Sequence, residues 1–230
     1  PRVIVKKGDS VKRGQKIAES SAFVSAPLHS PTSGTVSAIC EIISPFGTTV
    51  PAVEISSDGK DEQCEFTKLD FQTAETYQIL AKIAEAGLVG MGGAAFPTIV
   101  KLSPPKTKKI DTLIINGAEC EPYLTADYRL MIECPEQVLK GAAIFAKILG
   151  VSRVIVGVEA NKQDAVNIMR KSQVAKDMRI ETQSLRVRYP QGAEKQLIYA
   201  LTGRKVPTGG LPMDVGCVVQ NVGSAFAAFE

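Results

Sequence analysis

Two rhythms of apolar and polar positions divide the chain. Over residues 1–57 the apolar positions come in short runs (Val3-Ile4-Val5, Val11, Ile17-Ala18, Val36 to Ile39). They are separated by Lys7-Gly8-Asp9, Arg13-Gly14-Gln15, Pro27, Pro31 and Ser33-Gly34. Alternation broken by Gly and Pro predicts short strands joined by turns. A charged stretch, 58–71, reads as a linker. From residue 72 onward the period lengthens. Ala74, Tyr77, Leu80, Ala81, Ala84 and Leu88 recur every three or four residues and predict an amphipathic helix ending near Gly87. A glycine loop at 90–95 follows, then a short helix with Pro97 in its first turn and its end at Leu102. Further on, the pattern predicts strands at Thr112–Ile115, Arg153–Val158, Leu185–Arg188 and Cys217–Gln220. Between them it predicts helices at Glu136–Leu149 (closed by Gly150), Asp164–Ala175 and Glu194–Leu201. Strands alternating with helices imply a mostly parallel sheet, hence an α/β domain over 72–230.

The cadence VKKGDSVKRGQKIAE … SPTSGTVSAI resembles the barrel-sandwich hybrid of biotinyl and lipoyl carrier domains. A carrier of that kind needs a Lys at its exposed hairpin tip. Here the comparable tip holds Pro31, Thr32 and Ser33, so 1–57 reads as a small all-β, carrier-like domain without carrier chemistry. His29, the chain's single histidine, lies beside this tip between two prolines and reads as structural.

Composition narrows the function classes. Hydrophobic residues make up 44% and charged residues 22% of the chain, as in an ordinary globular protein. Lys+Arg 27 against Asp+Glu 24 leaves +3, too little to argue for nucleic acid or an anionic membrane surface. No run approaches the ~18 apolar residues of a membrane span. The chain opens at Pro1 and closes within Ala225-Phe226-Ala227-Ala228-Phe229-Glu230, which looks like the start of a helix. A piece of a longer protein is therefore expected. The five cysteines (40, 64, 120, 134 and 217) are odd in number, widely spaced and without a CxxC. That argues against a disulfide framework, a zinc site or a cysteine-held cluster within these residues and fits a reducing compartment. Each reads as a small buried hydrophobe except Cys120, which sits in a polar loop.

Ligands of open α/β sheets bind beyond the carboxyl ends of the strands. Three such ends carry polar loops: Asn116-Gly117-Ala118-Glu119-Cys120-Glu121-Pro122, Tyr189-Pro190-Gln191-Gly192-Ala193-Glu194 and Asn221-Val222-Gly223. Gly90-Met91-Gly92-Gly93-Ala94-Ala95 fits GxGxxA, but a helix precedes it where the dinucleotide fingerprint requires a strand. Its glycines serve either a tight turn or a flat ring laid against backbone amides. Lys101 is a solvated charge or a partner for a phosphate or an electron-rich ring. Glu119 and Glu121 are loop charges or acceptors for a ring N–H or a ribose diol. Phe96 is a core residue or a stacking platform for an adenine.

The segments GLVGMGGAAFPTIVKLSPP, IDTLIINGAECEPYLTADYRLM and YPQGAEKQLIYALTGRKVPTGGLPMDVGCVVQNVGSA resemble the C subunit of the Rnf electron-transport complex, in order and spacing, across nearly the whole chain. More distantly, the α/β part is similar to the flavoprotein subunit of respiratory complex I. The resemblance implies a Rossmann-like domain that binds FMN and NADH, exchanges hydride between them and passes single electrons to iron–sulfur centres. It implies other Rnf subunits as partners, ferredoxin as an indirect one, and ion-coupled electron transport. It places the chain peripherally on the cytoplasmic face of a bacterial membrane, without a span of its own. By position it assigns Gly90, Gly92, Lys101, Asn116, Glu119, Tyr189, Gly192 and Asn221 to FMN. Gly93, Phe96, Glu121 and Glu194 fall to the NADH side. The family's 4Fe-4S cysteines would lie beyond Glu230.

Three positions depart from the wider pattern. Ala95 stands where the family usually has Gly, and Ala118 and Ala193 replace acidic residues of the complex I branch. A cobalamin reductase of the same superfamily shares these loops and stays open as an alternative. A scaffold of different class, a carrier-like domain with a vestigial nucleotide fold, stays open beside it.

Overall fold

The computed structural model describes residues 1–230, and the chain divides into two compact units. The first, Pro1–Asp70 with Ala84–Gly87, holds two three-stranded sheets. Strands β1 (Arg2–Val3), β3 (Lys16–Glu19) and β4 (Leu28–His29) form one, and β2 (Ser10–Val11), β5 (Gly34–Ile43) and β6 (Thr49–Ser57) form the other. Val11, Ile17 and Val36 are buried where the sheets share a core, with Val5, Val53 and Ile55 packed around them. The turn before β5 is tied down. Ser33 is buried, its hydroxyl donates to Asp58 at 2.7 Å, and it accepts from the Glu62 amide at 3.0 Å. The start of the stretch expected as a linker is thus held by this unit, and Cys64 N–H bonds Arg13 O at 3.0 Å.

The second unit is an α/β layer structure, as the strand–helix alternation predicts. After α1 (Thr76–Glu85) and α2 (Thr98–Lys101) come β7 (Thr112–Gly117), α3 (Ala126–Glu133), α4 (Pro135–Leu149) and β8 (Arg153–Glu159). They are followed by α5 (Gln163–Lys171), α6 (Gln173–Asp177), β9 (Ile180–Leu185), α7 (Glu194–Thr202), β10 (Cys217–Asn221) and α8 (Val222–Phe229). The four strands are all parallel, in the order β10-β7-β8-β9. The central strands β7 and β8 are largely apolar because helices bury both of their faces, whereas the edge strand β9 carries polar residues. Leu113, Ile115, Val154 and Val156 face a core filled by Val138, Leu139 and Phe145 of α4, Val166 and Met169 of α5, and Ala225 of α8. Ile114, Ile155 and Val219 face the other way, onto Leu197, Ile198 and Leu201 of α7. Helix α4 meets α8 at Gly141, where a Cβ would lie 1.7 Å from the Ala225 carbonyl oxygen, so only glycine allows the approach.

Several boundaries differ from expectation. The third strand is Ile180–Leu185, not Leu185–Arg188. The Leu185-Arg186-Val187-Arg188 alternation mimics a half-buried strand, but residues 186–188 are all exposed. The register on β8 instead uses Ile180, Thr182 and Leu185 as inward positions. The helix expected over Asp164–Ala175 is broken at Ser172, whose ψ of 135° is extended, and continues as α6. Pro97 is the N-cap of α2, one position before the first turn. Helix α3, absent from the expected elements, fills the β7–β8 crossover, and α8 starts earlier than the apolar tail suggests, directly from β10. No helix is long and apolar enough to cross a membrane.

Candidate functional site

Strand β7 sits between β8 and β10, and the chain leaves it in one direction and returns from the other. The crossovers from β7 to β8 and from β8 to β9 lie on the α4–α5 face, whereas α7, between β9 and β10, lies on the opposite face. A crevice opens at such a reversal beyond the carboxyl ends of the two strands. The parallel register places Asn116 and Asn221 side by side at that point.

Both asparagines are fixed by bonds at each end of their amides. Asn116 Nδ2 donates to Gly192 O at 2.9 Å, and its Oδ1 accepts from Ala118 N at 3.0 Å. Asn221 Oδ1 accepts from Gly223 N at 2.7 Å and Ser224 N at 3.3 Å, capping α8, while Nδ2 donates to Asp127 Oδ2 at 2.6 Å. Gln220, one residue earlier, is buried, and its Nε2 has no hydrogen-bond partner.

The glycine loop is anchored to the same place. Gly90 N donates to Phe96 O at 2.8 Å across the loop's base, and Met91 N donates to Ser224 Oγ at 2.9 Å. A Cβ on Gly92 would touch the Asn221 side chain at 3.5 Å. Beyond these anchors Gly92, Gly93, Ala94 and Ala95 are exposed. Gly93 has φ +104° with nothing within 4 Å of a built Cβ. Ala95 has φ 48°, the left-handed region where glycine is at ease and a methyl is not. That is the conformation in which Gly, expected here from the resemblance, would sit without strain.

The loops at 116–122 and 189–194 are laced edge to edge. Gly192 N donates to Cys120 Sγ at 3.0 Å, and a Cβ on Gly192 would fall 2.4 Å from Ala118 O. Tyr189–Pro190 is a cis peptide bond. Glu194, at the first turn of α7, is paired with Lys101 at 2.8 Å, and Lys101 Nζ also donates to Val219 O at 3.1 Å. The resemblance assigns Lys101 and Glu194 to different ligands, yet here they form one ion pair, about two-thirds buried.

Negative charge collects on the other flank. The Glu119 carboxylate caps α3, accepting from Asp127 N at 3.0 Å and Tyr128 N at 3.4 Å, and its backbone oxygen accepts from Lys162 Nζ at 3.2 Å. Burial pushes the Asp127 carboxyl up to about 6. The nearby Glu119 charge reinforces the shift, while the Asn221 hydrogen bond and Lys162 oppose it.

Thus Gly90, Gly92, Lys101, Asn116, Glu119, Gly192, Glu194 and Asn221 are joined through a few intervening groups around the β7–β10 ends. Glu121 and Tyr189 lie beside them, in a cleft of about 290 Å³ shared with Glu119, Cys120, Lys162 and Arg188. Gly93 and Phe96 are at the exposed side of the glycine loop, and no hydrogen bond joins their side-chain positions to the network. Asp127, Ser224 and Lys162 belong to the site without having stood out in the sequence. For Asp127 a signal existed, since an acidic residue in Thr125-Ala126-Asp127 marks a helix start.

Two family models cover the chain. Residues 83–230 match the one described as the Nuo51 FMN-binding domain, and residues 1–60 match the RnfC barrel sandwich hybrid domain. The chain is 50% identical to the C subunit of the proton-translocating ferredoxin:NAD(+) oxidoreductase complex of Clostridium ljungdahlii, over 97% of this chain and 49% of that one. It is 48% identical to the C subunit of the Na(+)-translocating ferredoxin:NAD(+) oxidoreductase complex of Acetobacterium woodii, over 96% of this chain and 50% of that one. The chain therefore spans about half the length of these curated relatives. Among solved structures, an air-oxidised NAD+-reducing [NiFe]-hydrogenase aligns with a TM-score of 0.57 and 25% identity, covering 67% of this chain and 30% of that one.

Proposed function

We propose that this chain, which belongs to the Nuo51 FMN-binding family and opens with an RnfC barrel sandwich hybrid domain, is the NADH- and FMN-binding part of an ion-translocating ferredoxin:NAD+ oxidoreductase. The observation that carries this reading is the pair of immobilised asparagines at the strand reversal, with the glycine loop, the Gly192 loop and Lys101 drawn to them. The chain's own features fit a flavin. Glycine stands where a Cβ at 192 would collide with backbone, a run of side-chain-poor residues leaves amides uncovered, and Lys101 brings a cation to the β10 edge.

Gly90, Gly92, Lys101, Asn116, Glu119, Tyr189, Gly192 and Asn221 would hold FMN, and Gly93, Phe96, Glu121 and Glu194 would face NADH. Bound FMN would supply the redox chemistry, accepting a hydride from NADH and passing its two electrons one at a time to iron–sulfur centres while the proton goes to solvent. The protein's share is to hold two flat rings at reacting distance and to keep water away. No side chain need move a proton for hydride transfer, which is consistent with a site rich in fixed amides. Glu119 is committed to the α3 amides and so acts as a rigid wall. The Lys101–Glu194 pair keeps each charge oriented, and removal of either leaves the other about two-thirds buried without its counter-charge. Iron–sulfur clusters beyond Glu230, the other subunits of such a complex, ferredoxin as an indirect partner and a peripheral place on the cytoplasmic membrane face belong to the same reading.

The test is anaerobic. The chain supplemented with FMN should show a flavin spectrum that NADH bleaches. Lys101→Ala should weaken FMN binding by about tenfold, the size of one lost charge-assisted contact. Glu194→Ala should act mainly on the KM for NADH, with a smaller loss of flavin because Lys101 loses its partner. A chain that binds no FMN, or FMN that NADH leaves oxidised, would overturn the reading.

A further inference from the structure

Beyond β9, which is an edge strand of the sheet, runs a groove of about 800 Å³ between the strand's end, the outer side of α7 and residues 205–206. Leu185 and Val206 contribute its apolar floor, and Arg186, Arg188, Lys195 and Lys205 stand along it. No acidic residue lines it. None of the four cations enters a salt bridge. Lys195 reaches only Pro207 O at 3.4 Å, and Lys205 lies over the Tyr199 ring at 5.6 Å. The nearest acidic residue in sequence, Glu194, is turned to Lys101.

Net charge sharpens the observation. The chain carries 27 basic and 24 acidic residues, so without these four cations it would be 23 against 24. Four like charges thus stand along one groove in a chain whose overall excess is only three. Ordinary surfaces intersperse the two signs, because like charges side by side repel. Nothing in the packing of β9 or α7 requires the concentration, since all four side chains are exposed and the helix is held by Leu197, Ile198 and Leu201 on its inner side.

We propose that this groove docks an extended segment of a partner protein in which acidic and apolar residues alternate. The cations would take the carboxylates, and the Leu185–Val206 floor would take the apolar side chains. A nucleic acid asks for a strongly basic chain or stripe, and the chain's overall charge is only +3. A bilayer presents a flat face that does not enter a groove. The groove adjoins the cleft beside Glu119 and Tyr189 and shares Arg188 with it, so the test leaves Arg188 unchanged and reads peptide binding rather than flavin or NADH.

The experiment uses the full chain and a fluorescent peptide of alternating Glu and Leu, followed by anisotropy. A peptide of alternating Lys and Leu, oligo-dT and phosphatidylserine-containing vesicles serve as comparison probes. The Glu–Leu peptide should bind, more weakly as salt rises, and Arg186→Ala/Lys195→Ala/Lys205→Ala should lower its affinity by about tenfold or more. The charge-reversed variant Arg186→Glu/Lys195→Glu/Lys205→Glu should instead take up the Lys–Leu peptide, which shows that loss in the first variant is not loss of fold. Equal peptide binding by parent and variants would overturn the proposal. So would oligo-dT or vesicles binding more tightly than the peptide and losing that binding in the same variants.

Discussion

The two ends of the parallel sheet are built from similar polar residues and treat them oppositely. At the amino end each charge is closed on a partner, either backbone carbonyls or an opposite charge. Lys147 donates to the carbonyls of Phe71, Gln72 and Ala74 at 2.8–3.0 Å. Arg204 bonds Asp111 and Val215 O, and that guanidinium, with the Thr112 hydroxyl, holds the Asp111 carboxyl below the usual range. At the carboxyl end Asp127 is pushed the other way by burial beside Glu119, Gln220 has an open donor, and a run of glycine and alanine amides is uncovered. The first arrangement stabilises the fold. The second keeps strained or open groups at a cost in stability, a pattern typical of functional sites and the one the proposed flavin site would need.

This contrast can be broken most severely at Gly192. A methyl there meets the Ala118 backbone, which cannot yield as a flexible side chain would, so Gly192→Ala should displace the loop by a fraction of an ångström or more. NADH oxidation by the FMN-loaded chain should then fall on the order of 100-fold, against a stability loss of only about 1–3 kcal/mol in denaturant unfolding. The mirror experiment is Lys147→Met, which strands three carbonyls at the amino end. It should cost about 3 kcal/mol in denaturant unfolding while FMN affinity stays that of the parent, and a fall in FMN affinity alone would dissolve the distinction.

A smaller effect is expected at Asp127. Its folded-state pKa, about 6, lies above the unfolded value of 3.8, so between those values the folded chain binds the extra proton. The carboxyl's unfavourable contribution therefore sets in as pH rises from about 4 to 6 and is complete above. Asp127→Asn, which keeps an acceptor for Asn221, should gain about 1–2 kcal/mol of stability at pH 7, discounted for partial exposure, and nothing near pH 4. Urea unfolding of both proteins at the two pH values checks the sign.

Much of this architecture is legible in the chain. Leu113–Ile115 and Val154–Val158 are unbroken by polar side chains, as buried parallel strands are, and Gly150 closes α4 in the left-handed conformation expected of it. The polar loops are legible because Asn, Gly and Glu directly after apolar runs have few structural reasons to be there. The position of β9 is not, because an edge strand, open on one side, can carry Glu181, Gln183 and Ser184, whereas the exposed Arg186–Arg188 stretch beyond it copies a strand's alternation. The Lys101–Glu194 pair joins residues 93 apart in sequence, and no local period encodes such a meeting. Asp127 is hidden for a related reason, since its burial arises only when α3 and α8 pack together.

Hydrogen exchange of the chain with and without FMN addresses the convergence of these loops most directly. Slowed exchange should appear together in 90–95, 116–122, 189–194 and 221–224, and be absent around Lys147 and Asp111. Protection confined to one of those segments, or spread over the amino end of the sheet, would contradict a single flavin site at the strand reversal.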